Sequence, residues 1–138
     1  MTLSKVWLIR GLPGSGKSHL ANTIAAGERA YHFEADMFFQ LNGYKFDRAL
    51  LGDAHGWCLA RFKEALKEGR SVVVSNTFTQ SWEIFPYLQD CKEHGITPQV
   101  IECHASFGSV HGVPDATITK MRDRWEPTSV LLKGFTFG

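Results

Sequence analysis

The octapeptide Gly11-Leu12-Pro13-Gly14-Ser15-Gly16-Lys17-Ser18 follows the spacing G-x-x-x-x-G-K-[ST], a pattern with physical meaning only between a strand and a helix. Both neighbours are legible. Val6 to Ile9 is a short apolar run closed by the glycines, as in a strand buried on both faces. Downstream, Leu20 and Ile24 stand four apart beside Ala21 and Ala25, which predicts a helix with Gly27 placed to end it. Gly14 and Gly16 let consecutive backbone N–H groups point inward with no Cβ in the way, and the dipole of the following helix adds to their attraction for an anion. Phosphate groups are the expected occupants, contacted by Gly11, Pro13, Gly14, Ser15, Gly16, Lys17 and Ser18. Lys17 reaches β- and γ-phosphates as a point charge, and the Ser18 hydroxyl is suited to Mg²⁺ bridging them, so the expected ligand is a nucleoside triphosphate.

Outward from this loop, strands and helices alternate. Tyr31 to Glu34 reads as a second strand, Met37 to Leu41 as a loop or brief helix, and Asn42-Gly43 as a turn. Leu51, Ala54, His55, Cys58, Phe62, Ala65 and Leu66 keep a 3.6-residue period as far as Gly69. That predicts the best-defined helix and puts His55 on its apolar side, as a core histidine or an acceptor contact. Ser71 to Ser75, with three consecutive valines, is the third strand. Ile84, Phe85, Leu88 and Cys91 form another helical stripe around Pro86, ended by Gly95, and Gln99 to Cys103 is the fourth strand. Ala105 to Pro114 has the composition of a loop that closes over a ligand. Ile118, Met121 and Trp125 predict a last helix, so that residues 105–126 make a candidate lid, and Val130 to Phe137 reads as an edge strand. The alternation implies parallel β-α-β units, hence a doubly wound, mainly parallel α/β sheet with helices on both faces. A chain of 138 residues fits one domain.

Composition narrows the partners. Fifteen Lys and Arg against fourteen Asp and Glu leave a net charge of +1, so no overall field marks a nucleic-acid or membrane-surface binder, and an anion must be held locally. With 43% hydrophobic and 21% charged residues the chain is not a disordered tail. Cys58, Cys91 and Cys103 show no C-x-x-C spacing, which argues against a disulfide framework or closed zinc site and suits a reducing compartment. No run approaches the ~18 apolar residues of a membrane span, and the first ten residues lack a signal-type apolar region. The expected location is cytoplasmic.

A triphosphate site does not say where the γ-phosphoryl group goes. Asp36 follows the second strand, and ligands of such sheets gather beyond the carboxyl ends of the strands. It is therefore the candidate to orient an attacking hydroxyl, a task in which positioning outweighs early proton removal. Its second reading is the N-cap of a short helix at Met37. Phe38, Phe39 and Tyr44 are open to two readings, a stacking surface for a base or ordinary packing.

These segments together resemble a known family. Gly11 to Ser18, Glu34-Ala35-Asp36-Met37-Phe38-Phe39, Gly43-Tyr44-Lys45-Phe46-Asp47, Ala54-His55-Gly56-Trp57, Asn76-Thr77-Phe78-Thr79, Trp82-Glu83, Pro86-Tyr87 and His111-Gly112-Val113-Pro114 occur in an order similar to that of the small P-loop ATP-binding kinases related to phage-type polynucleotide 5′-kinases. The resemblance runs roughly from Val6 to Glu126 and implies a nucleotide-kinase-like P-loop NTPase fold. It also implies ATP and Mg²⁺ as cofactors and phosphorylation of a hydroxyl, with Asp36 at the position of the acceptor-activating acid. Met121-x-x-Arg124-x-Glu126 is similar to the family's ending after the lid, which makes Arg124 the first candidate to meet the transferred phosphate; Arg122 also flanks the apolar stripe.

Three positions depart from the pattern. Met37-Phe38-Phe39-Gln40 carries no arginine after the acid, and Gly108-Ser109-Val110 carries no basic residue before His111. Ser75 stands where many relatives have an acidic metal-positioning residue, leaving Ser18, water and Asp36 as the expected surroundings of Mg²⁺. The expected activity is ATP-dependent transfer to a polynucleotide or nucleotide 5′-hydroxyl. The alternatives are a nucleoside, nucleotide or other small-molecule kinase, and an ATP-binding interaction protein without kinase activity.

Overall fold

The computed structural model describes residues 4–41, 43, 45–105 and 113–135. Its elements run β1 (Val6–Gly11), α1 (Lys17–Glu28), β2 (Tyr31–Phe33), α2 (Met37–Leu41), a 3-10 turn (Arg48–Leu50), α3 (Leu51–Lys67), β3 (Val72–Asn76), α4 (Ser81–Glu93), β4 (Gln99–Cys103), α5 (Asp115–Asp123) and α6 (Thr128–Leu131). Every described strand is parallel, in the order β2-β3-β1-β4. Helical crossovers make this arrangement possible, since parallel neighbours cannot be joined by a tight hairpin. Leu8 of β1 lies between Val74 of β3 and Val100 of β4, so the glycine-rich loop leaves from the interior of the sheet.

The strands are apolar along their length because both faces are covered. Val6, Leu8, Val72 and Val74 face α3 and α4, where Cys58, Phe62, Ile84 and Leu88 complete the larger core cluster. Trp7, Ile9 and Val73 face the other way, onto Leu20, Ala21 and Ile24 of α1. Helix α3 buries Ala54, Cys58, Phe62, Ala65 and Leu66, one stripe at helical spacing. Helix α4 opens with a reciprocal cap between Gln80 and Glu83 and continues through Pro86 to Glu93, burying Ile84, Tyr87, Leu88 and Cys91.

Several expectations are corrected. Helix α1 does not stop at Gly27. It runs to Glu28, and Arg29 takes the left-handed closing position with φ 53°, its N–H bonded to the Ala25 carbonyl. The extra residues deliver Tyr31 to Ser71, whose carbonyl accepts its N–H at 2.9 Å. His55 is exposed, not in the core, because the stripe of α3 passes through Ala54 and Cys58. The edge strand expected over Val130 to Phe137 is absent from its described part. Thr128 gives its N–H and hydroxyl to Glu102, which starts the helical turn of α6 and drives Leu131 into the core. Of the candidate lid, residues 106–112 lie outside the described residues; Asp115–Asp123 forms α5, and Trp125 lies just past it.

Candidate functional site

The phosphate loop is built as its glycines dictate. Gly14 and Gly16 have φ 80° and 87°, the left-handed region that other residues enter at a cost. A Cβ on Gly11 would stand 2.3 Å from Ser15 Oγ and 2.9 Å from the Cys103 carbonyl, so no side chain fits there. Gly16 is the N-cap of α1 and supplies no side-chain cap, which leaves the first N–H groups of the helix to an external acceptor. Ser15 is buried, and its Oγ has no hydrogen-bond partner among the described residues. An orphaned donor inside a ring of amides fits an oxyanion.

Lys17 lies at the head of α1, its Nζ 3.5 Å from the Leu12 carbonyl. Burial lowers the ammonium's pKa, while Glu34, Asp36 and Cys103 pull it back up, Glu34 most strongly. Asp36 is half-buried at the start of α2, and its carbonyl accepts the N–H groups of Phe39 at 3.1 Å and Gln40 at 3.4 Å. The turn that carries it is tied to β3 through Asn76, whose Oδ1 accepts the Ala35 N–H at 2.9 Å.

Glu34 is the residue that sequence reasoning did not single out. Its Oε2 accepts the hydroxyls of Ser18 at 2.8 Å and Ser75 at 2.9 Å. Ser75 Oγ also lies 2.7 Å from His32 Nε2, and His32 Nδ1 lies 3.0 Å from Asn22 Oδ1. Ser75 has one proton and the carboxylate only accepts, so Ser75 donates to Glu34 and takes its own hydrogen bond from His32 Nε2–H. Burial lowers the pKa of His32 against the opposing pull of Glu34. The available signal was the register: Phe33 lies beside Val74, so the next residues, Glu34 and Ser75, are neighbours.

A cavity of ≈ 460 Å³ opens on the β4 side of the loop, between Leu12, Pro13 and Ser15 and, opposite them, Asp115, Ile118 and Arg122 of α5 with Trp125 just past it. Arg122 therefore lines the cavity. Arg124 instead sends its Nε toward Thr79 Oγ1 at 3.3 Å. Phe39 is buried in the core and packs edge-on against Phe38, so its ring serves the fold; Tyr44 lies outside the described residues.

Residues 6–111 match the AAA domain family. The chain belongs to that family. Within it, this AAA domain is 34% identical over 131 residues to NEDD4-binding protein 2 of Homo sapiens, covering 86% of this chain and only 7% of that protein. Solved structures share the fold. A putative kinase from Chloroflexus aurantiacus superposes with a TM-score of 0.65 at 21% identity over 75% of this chain and 60% of its own. The Pnkp1/Rnl/Hen1 complex gives 0.59 at 18% over 99% and 44%. The APS kinase CysC of Mycobacterium tuberculosis in complex with AMPPNP and APS gives 0.59 at 20% over 97% and 75%. The AAA domain described here is a kinase-like P-loop domain with a four-stranded parallel sheet. No described helix is long and apolar enough to cross a membrane.

Proposed function

We propose that this domain binds MgATP and transfers the γ-phosphoryl group to a hydroxyl, with a nucleotide or polynucleotide 5′-hydroxyl as the acceptor. The observation that carries the reading is the meeting of one ammonium, two carboxylates and an uncapped helix N-terminus at the carboxyl end of the sheet. A bare anion-binding loop needs no carboxylates; a phosphoryl transferase needs one to orient its acceptor. The kinases among the structural neighbours, one bound to AMPPNP and one named for Pnkp1, support the same reading.

In this scheme the amides of residues 11–18, Ser15 Oγ and Lys17 hold the triphosphate, and the nucleoside lies in the cavity walled by Leu12, Pro13, Ile118 and Trp125. Ser18 holds Mg²⁺, which when bound neutralises charge on the β- and γ-oxygens. Asp36 accepts a hydrogen bond from the attacking hydroxyl and sets its line of approach. Arg122, on the cavity wall, meets the transferred phosphate, and Arg124 braces the lid root on Thr79. Three unpaired cysteines suit a cytoplasmic setting.

One feature favours a smaller acceptor. Helix α2, directly after Asp36, reads Met37-Phe38-Phe39-Gln40-Leu41 and offers no cation to a nucleic-acid phosphate. Incubation with γ-labelled ATP, Mg²⁺ and a panel of oligonucleotides, nucleosides and sugars tests both readings. Label on oligonucleotides, with an affinity that falls steeply with salt, supports the polynucleotide acceptor. Label on nucleosides or sugars alone supports the small-molecule one, and tight ATP binding with no transfer to any acceptor supports an interaction module.

A further inference from the structure

Two serine hydroxyls, one from the phosphate loop and one from the end of β3, converge on a single oxygen of Glu34. We propose that Glu34, projecting from the end of β2, is the positioning carboxylate for a divalent cation bound at Ser18, in a place where β3 itself supplies only Ser75. The inference rests on the reading of the loop as a Mg-triphosphate site.

A serine hydroxyl coordinates a hard cation through an oxygen lone pair, so its proton has to point elsewhere. A carboxylate that accepts this proton fixes the rotamer and makes the oxygen a better donor, which is how groups behind a metal ligand tune a site. Glu34 does this for Ser18 at 2.8 Å. The strand order explains why the residue is a glutamate. In β2-β3-β1-β4, β2 lies one strand farther from the loop than β3, and strands are spaced about 4.8 Å apart. A carboxylate on β2 must reach across the end of β3, and glutamate has one methylene more than aspartate with which to do so. Ser75 leaves the space and adds a second hydroxyl to the same oxygen at 2.9 Å.

The support extends behind the carboxylate. His32 and Glu34 are two residues apart, on one side of an extended segment, and His32 Nε2 donates to Ser75 Oγ at 2.7 Å. The relay His32–Ser75–Glu34–Ser18 thus ties β2, β3 and α1 to one ligand oxygen. It also divides the two carboxylates: Glu34 serves the cation, and Asp36, farther along the chain, is left for the acceptor.

The test measures binding, with Mn²⁺ and AMP-PNP as probes, by electron paramagnetic resonance and calorimetry. Glu34→Gln is expected to weaken Mn²⁺ in the ternary complex about 10- to 100-fold, while AMP-PNP affinity in EDTA stays within about threefold of the unaltered chain. The exchange variant Glu34→Ser with Ser75→Asp, which moves the carboxylate onto β3, is expected to recover Mn²⁺ affinity that Glu34→Ser alone loses. Melting curves select folded variants, and the exchange pair provides the readout should Glu34→Gln not fold. Equal Mn²⁺ affinity in Glu34→Gln and the unaltered chain, or no recovery in the exchange variant, overturns the role of Glu34 alone. An unaltered chain that binds no AMP-PNP overturns the triphosphate reading beneath it.

Discussion

Gly11 and Ser15 show how little room the loop leaves. The Cβ of an alanine at Gly11 meets Ser15 Oγ at 2.3 Å and the Cys103 carbonyl at 2.9 Å, and the second of these is backbone that cannot rotate away. Gly11→Ala is therefore expected to deform the loop and weaken AMP-PNP at least tenfold in a calorimetric titration, with little change in circular dichroism. Asp36→Asn keeps the size of the side chain and removes its charge. The expected outcome is nucleotide affinity within about threefold of the unaltered chain and a transfer rate lowered about 10²- to 10⁴-fold, read by label transfer. The loop residues were legible in the sequence because their work is local, done by consecutive amides. Glu34 was not, since its task depends on Ser75, 41 positions later, arriving beside it.

Phe78 marks the hardest-working turn among the elements. It sits between β3 and α4 with φ 45°, a left-handed conformation that costs a non-glycine residue of this size about 1–3 kcal/mol. Its ring is buried against Tyr87, and its carbonyl accepts both Arg10 Nε at 3.0 Å and Nη2 at 2.7 Å. Removing a buried phenyl costs about 3–5 kcal/mol, more than the strain released. Phe78→Gly is thus expected to destabilise the fold by a net amount of about 2 kcal/mol in urea titrations. Helix α5 and its closing residue offer a contrast of arginines. If Arg122 faces the phosphates from the cavity wall while Arg124 is tied to Thr79, Arg122→Ala lowers kcat more than it lowers the melting temperature, and Arg124→Ala does the reverse. Strand and helix periods made α3, β3 and β4 readable. The last element was not: Val130, Leu131 and Leu132 look like a strand, and only the pull of Glu102 on Thr128 turns the chain into a helix.

For the whole molecule, one buried cation joins distant parts. Arg10 is fully buried, reaches Glu102 of β4 at 3.3 Å and Thr128 of α6 at 3.1 Å, and lies 3.9 Å from the centroid of the Trp125 ring. The Thr128 hydroxyl, with His104 and Arg10, holds the Glu102 carboxyl below its ordinary value of 4.5. A carboxylate depressed in the folded state adds stability that is present above 4.5 and lost as pH falls through the depressed value. Glu102→Gln is expected to lower stability at neutral pH and to flatten the acid limb of the urea midpoint plotted against pH. Nothing in the composition foretold this knot, because a charged residue inside an apolar strand is intelligible only once its partners from the β3–α4 turn, β4, the segment after α5 and α6 have assembled.

Because Trp125 is clamped on the residue that immediately precedes Gly11, the segment before it is mounted on an axle rather than hung from a tether. Whatever loosens that indole from the guanidinium is therefore felt at both the root of the glycine turn and the C-terminal end of α5.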